Sequence, residues 1–185
     1  KKKKSNLDIA VIGLAGRFPG AGNIQRYWEN LKNGTETITF FNEQELIENG
    51  IPRESINDPS FVAATGVMDR IEYFDSVFFN YTPAEAQIME PQVRVFHECA
   101  WHALEDAGYE PGAYPGVIGM YAGYHPNLHW NVMGLVTEAK GVGEMERTVF
   151  NSPFFTTLAN YKFNLKGPAV TLHTACSTSL VAIHL

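Results

Sequence analysis

The chain has 185 residues, 45% of them hydrophobic, with a formal net charge of −6, two cysteines and six histidines. That content is enough to bury a real core and fits one domain, or a large piece of one, and it excludes a disordered tail. The acidic balance offers no basic field to follow a phosphate backbone, so nucleic acid is not an expected partner, and Cys99 and Cys176 are too few for a disulfide framework.

No apolar run approaches the roughly 20 residues of a membrane span, and the N-terminus lacks the apolar core of a signal peptide. The expectation is a soluble, cytoplasmic chain with no membrane partner. Residues 1–7 read as a basic tail, with Lys1 to Lys4 forming a solvated charge block. From Asp8 the pattern changes. Ile9 to Leu14 is an apolar run of strand length ended by glycines, which predicts a strand covered on both faces. Gly13, Gly16, Gly20 and Gly22 follow it but form neither a dinucleotide fingerprint nor a P-loop, so they read as tight turns and no bound cofactor is expected.

Asn23 can cap a helix from Ile24 to Lys32 that Asn33-Gly34 ends. Its Ile24, Tyr27, Trp28 and Leu31 share one face, which predicts core packing. Glu43 to Asn49 suggests a second short helix closed by Gly50, then an exposed connection from Ile51 to Ser60, and Phe61 to Val67 fits a strand. Phe74, Val77, Phe78 and Phe79 make an aromatic cluster too large to leave in water. Thr82-Pro83-Ala84-Glu85 combines a capping hydroxyl, proline at the first helical position and glutamate at the third.

The longest helix is predicted from Pro91 to Ala107, with Gly108 as terminator. On it His97, Glu98, His102 and Glu105 invite a metal reading. His97 and His102 are five apart and no His-Glu-x-x-His pattern is present, so a solvated polar face is expected and no metal. Cys99, far from either helix end, reads as packing. Val117 to Gly123 predicts a second central strand. The segment from Tyr124 to Val149, with His125, His129 and Trp130, is less patterned, and Ser152-Pro153 begins a helix whose Phe154, Phe155, Leu158 and Tyr161 face the core.

Ala169 to His173 alternates as a short strand does, and Leu180 to Leu185 reads as a buried helix leaving a tight turn, so Cys176 falls where a strand becomes a helix. Free N–H groups at a helix start favour a thiolate and can hold an oxyanion, two needs of acyl transfer. A plain buried, inert cysteine fits the same spacing. The order of elements implies a layered α/β fold.

Thr174 to Leu185, Thr-Ala-Cys-Ser-Thr-Ser-Leu-Val-Ala-Ile-His-Leu, resembles the active-site signature of β-ketoacyl synthases in modular polyketide synthases. Four stretches before it resemble the same family in the same order: Ile9 to Ala21, Phe74 to Phe79, Glu90 to Arg94, and Ala100 to Tyr109. The resemblance implies a thiolase-like layered αβαβα fold, with residues 8–185 as the first, N-terminal half of a ketosynthase domain that stops just after the nucleophile motif. It implies that Cys176 is the catalytic residue, accepting an acyl chain from the phosphopantetheine of an acyl carrier protein for decarboxylative Claisen condensation with a malonyl-type extender. The alternative it leaves open is a non-elongating ketosynthase that passes or docks the chain. A homodimer is implied for the full domain. In the family two histidines and a lysine beyond the cysteine serve decarboxylation, and none of this chain's histidines matches them, so this segment alone is expected to be inactive. His173 stands where the family often has Asp, and Thr178 where it has Ser.

Overall fold

The computed structural model describes residues 9–125, 127, 130 and 154–185. They divide into two compact units, one of residues 16–70 and one comprising residues 9–15 with the described residues from Ile71 onward.

In the smaller unit, α1 (Ile24–Asn33) starts where Asn23 accepts a bond from the Arg26 amide and stops at Gly34, whose φ of 63° is the left-handed geometry glycine adopts without penalty. Strand β1 (Ile38–Phe40) pairs antiparallel with β2 (Ala64–Gly66), Thr39 opposite Thr65. Between them lie α2 (Glu43–Glu48), opened by a complete Asn42–Glu45 capping box, and the single turn α3 (Arg53–Ile56). That turn occupies part of the stretch expected to be an exposed connection, and its N-cap residue Pro52 is extended and supplies no side-chain cap. The core of this unit is thin: Ala21, Leu46 and Asn30 are buried, and Asn30 Nδ2 donates to the Gly20 carbonyl at 3.0 Å. The α1 stripe expected in the core is instead open, with Trp28 58% exposed and Tyr27 and Leu31 beside it. Amphipathic spacing identifies a face; only a partner element buries it.

The larger unit is built on two parallel strands. β3 (Met120–Gly123) and β4 (Ala169–Leu172) pair in register from Met120 opposite Ala169 to Gly123 opposite Leu172. Helix α4 (Pro83–Ile88) carries the expected capping box, and α5 runs over Pro91–Ala107 to a left-handed Gly108, as its sequence predicts. Helix α6 (Phe155–Lys162) packs on both strands, with the Thr156 and Thr171 hydroxyls 2.6 Å apart. The core joins Phe79, Tyr81, Ile88, Met89, Val93, Tyr124, Phe155, Phe163 and Leu165. Burying side chains such as Met89 and Val93 contributes about 1.5–3 kcal/mol each.

Three expectations fail here. Ile9 to Leu14 forms no strand, because no described strand hydrogen-bonds to it, and Ile9 is 86% exposed. On α6 only Phe155 of the four named residues is fully buried, and Phe154 and Tyr161 are exposed. The start expected at Ser152-Pro153 lies outside the described residues. His97 is not on a solvated face but fully buried in the core. Its Nδ1 lies 2.8 Å from the Val93 carbonyl, which can only accept, so Nδ1 carries the proton and Nε2 accepts from the Tyr81 hydroxyl at 3.0 Å. Both nitrogens are satisfied, and that is what lets an imidazole replace an aliphatic side chain among Phe74, Phe79 and Phe163.

Candidate active site

Cys176 is exposed, in the middle of a 3-10 turn (Ala175–Ser177) that joins β4 to α7 (Thr178–His184). Ala175 supports it with a φ of 52°, a left-handed conformation that costs a residue bearing a Cβ roughly 1–2 kcal/mol. The turn is held by its own side chains. The Thr174 amide donates to Thr178 Oγ1 at 2.9 Å, the Thr178 hydroxyl donates to the Ala175 carbonyl at 2.8 Å, and the Ser177 hydroxyl donates to the Thr174 carbonyl at 2.8 Å. The hydroxyl of Thr178 thus ties the two residues before the cysteine to the first residue of α7. Any Cβ at Gly123 would strike the Thr178 side chain, so the glycine lets β3 and the start of α7 approach closely. The buried helix expected after the turn is a correction: Leu180 is 73% exposed and Ile183 is open too, because no described element covers the outer face of α7.

The two strands end together beside this turn. The residues after β3 and β4 include His125 and His173, whose rings meet edge to face with centroids 5.8 Å apart; both are exposed. His129 lies outside the described residues. Behind His125 is a group of residues to which sequence pattern alone assigns no role. Glu90, 1% exposed, accepts the Tyr124 hydroxyl on Oε2 at 2.6 Å and the Gln92 amide on Oε1. The Gln92 amide also donates to the His125 carbonyl at 2.7 Å. Burial, then the bond to Glu90, raises the Tyr124 phenol well above its ordinary range. The only sequence signal for this group is the Glu-Pro-Gln that opens α5.

Arg94, next on α5, is buried, donates to the Glu72 carbonyl at 3.2 Å and faces the Trp130 ring at 5.8 Å. Burial lowers its pKa, opposed by Glu98 and Glu72. Among the described residues no three His, Cys, Asp or Glu side chains converge to hold a metal, and no helix is long and apolar enough to cross a membrane. An apolar cavity of about 650 Å³, lined by Ile12, Phe96, Ala103, Ile118 and Tyr121 among others, contains neither Cys176 nor either histidine of the pair.

The chain as a whole has counterparts among known proteins. Residues 6–185 match the family described as "Beta-ketoacyl synthase, N-terminal domain", and the chain belongs to that family. It is 41% identical to a phenolphthiocerol/phthiocerol polyketide synthase polypeptide of Mycobacterium tuberculosis, over 96% of this chain and 12% of that protein. It is 34% identical to polyketide synthase PksN of Bacillus subtilis, over 95% of this chain and 3% of that one. Of solved structures, ketosynthase twelve of the bacillaene polyketide synthase of Bacillus amyloliquefaciens superposes with a TM-score of 0.79 at 32% identity, covering 93% of this chain and 30% of that one. The module 1 ketosynthase of the bacillaene synthase from the same species gives 0.78 at 35%, covering 95% and 31%. The fold is the thiolase-like layered fold of ketosynthase N-terminal domains. The chain thus spans about 12% of its first curated relatives and about 30% of the solved ketosynthases.

Proposed function

We propose that this chain is the acyl-accepting part of a β-ketoacyl synthase in polyketide biosynthesis, with Cys176 as the nucleophile. Residues 8–185 belong to the ketosynthase domain and residues 1–7 are a basic lead-in. The observation that carries the reading is the exposed Cys176 raised on a left-handed Ala175 at the β4–α7 turn, inside a chain of this family. A buried structural cysteine would need no strained support and would not face solvent.

In the first step the Cys176 sulfur attacks the thioester carbonyl of an acyl chain on an acyl carrier protein's phosphopantetheine. The new C–S bond replaces the old one, and the pantetheine thiol leaves with the proton. In the second, a malonyl-type unit on a carrier loses CO2, and the resulting carbanion attacks the cysteinyl thioester and releases the Cys176 thiolate. Covalent catalysis divides one difficult condensation into two easier steps. Family membership supports an acyl carrier protein as partner and an oligomeric domain; the reading includes a homodimer and a cytoplasmic assembly.

The test is intact-protein mass spectrometry of the full-length polypeptide incubated with an acyl-pantetheine thioester. We expect an acyl adduct on the wild type and none on Cys176→Ala at that site. Equal labelling of both proteins, or of neither, overturns the assignment.

A further inference from the structure

We infer that Glu90 and Gln92 are positioning residues for Cys176, acting through the ends of the two parallel strands; this rests on Cys176 being the acyl acceptor. Burying Glu90 is costly. A carboxyl group at 1% exposure is tolerated only if its oxygens are used, and here each oxygen takes a donor, the Tyr124 hydroxyl on one and the Gln92 amide on the other. Gln92 has two amide protons. One is held by Glu90, and the other reaches the His125 carbonyl at 2.7 Å. Tyr124 and His125 are consecutive, so the start of α5 grips the segment leaving β3 by a side chain and by a backbone carbonyl at once.

The grip is passed across the sheet. The Tyr124 amide donates to the Leu172 carbonyl at 3.4 Å, continuing the β3–β4 ladder beyond its last pair, and the His125 ring lies edge-on to that of His173. His173 leads directly into Thr174, whose amide and carbonyl are both bound within the cysteine turn. The turn is internally rigid, so what remains to be set is its place relative to the sheet. The Glu90–Gln92–His125–His173 series does this from an element that carries no reacting atom. Misplacing a reacting group by about 1 Å costs about a hundredfold in rate.

Gln92 is the better probe because its side chain is exposed and its loss leaves no core cavity. In the full-length polypeptide, Gln92→Leu should slow acylation of Cys176 by acyl-pantetheine about tenfold to a hundredfold at saturating thioester. The half-saturating concentration and the titre of thiol alkylated by iodoacetamide at Cys176 should stay at wild-type values. Glu90→Gln should slow acylation similarly, and the double variant should be no slower than the worse single one, as for members of one linkage. Wild-type saturating rates in Gln92→Leu overturn the inference. So does a loss confined to the half-saturating concentration, or one that vanishes when rates are expressed per alkylatable Cys176 thiol. If the wild type itself carries no adduct on Cys176, the nucleophile reading falls and takes the positioning role with it. A labelled wild type with an unaffected Gln92→Leu sinks the positioning role alone.

Discussion

His97 and Cys176 sit in the same compact unit and represent opposite uses of a polar side chain. His97 is fully buried, with both ring nitrogens bonded and aromatic edges around it; Cys176 is exposed on a turn whose backbone is strained and whose side-chain hydrogen bonds come from its neighbours. The first residue is constrained by everything around it. The second is left exposed while everything around it is constrained. The use of a polar side chain is therefore better read from what pairs with it and supports it than from residue type. By type alone, the histidines of α5 look more like a site than they are.

The largest way to break this contrast is to titrate His97. Burial, with Lys162 nearby adding to it and the Val93 carbonyl opposing, lowers its pKa from 6.5 to about 4. The folded state therefore keeps the ring neutral at a pH where the unfolded chain binds a proton. Stability from this residue is fully present above pH 6.5 and is lost as pH falls from there towards 4, on the order of 3 kcal/mol in all. Amide hydrogen exchange across α5 in the full-length polypeptide should show protection falling through that window. His97→Leu should flatten the slope, but at neutral pH should itself cost about 1–3 kcal/mol by leaving the buried Tyr81 hydroxyl without its acceptor. Adding Tyr81→Phe should recover most of that loss, since removing both partners leaves no orphan. A double variant as unstable as the single one would show that the pair is not a satisfied core element.

What is legible in the sequence divides along a similar line. The limits of α5, the Asn23 and Thr82 caps and the stop at Gly34 follow from residues within a turn of one another, and the structure places them where the sequence predicts. The strand-to-helix position of Cys176 is legible for the same reason. Burial is not. Trp28 and Leu31, Ile9 to Leu14 and Leu180 all have core-like patterns and are exposed, since pattern shows which face would be buried and not whether another element covers it. His97 fails in the opposite direction, because its partner Tyr81 lies outside the helix and the bond exists only after folding. The contact between Glu90 and Tyr124 is not legible for that reason too, since the two are 34 residues apart. The three-residue strand β1 escapes because it is too short for alternation to show.

The contrast sharpens at Ala175. Its φ of 52° suits glycine, tolerates alanine at a cost and resists a β-branched side chain. Ala175→Val should therefore destabilise the turn by about 1–2 kcal/mol and slow acylation of Cys176, with α5 protected as in the wild type. Slower acylation with loosened α5 would mean that turn and core are one cooperative unit.

The smallest effect expected is at a cap. Thr82 Oγ1 accepts the Glu85 amide at 3.2 Å, and Glu85 Oε2 in turn accepts the Thr82 amide at 2.6 Å. Thr82→Ala should cost about 1 kcal/mol, read as faster exchange in the first turn of α4. Helix α4 ends at Ile88, with only Met89 between it and Glu90, so this variant asks how far the support of the cysteine turn reaches. The Glu90 carboxylate is held by Tyr124 and Gln92, so fraying the far end of α4 should leave the acylation rate of Cys176 within about twofold of wild type. A larger drop would extend the supporting linkage through α4 to its cap, and the cysteine turn would then depend on a much greater part of the unit than the start of α5.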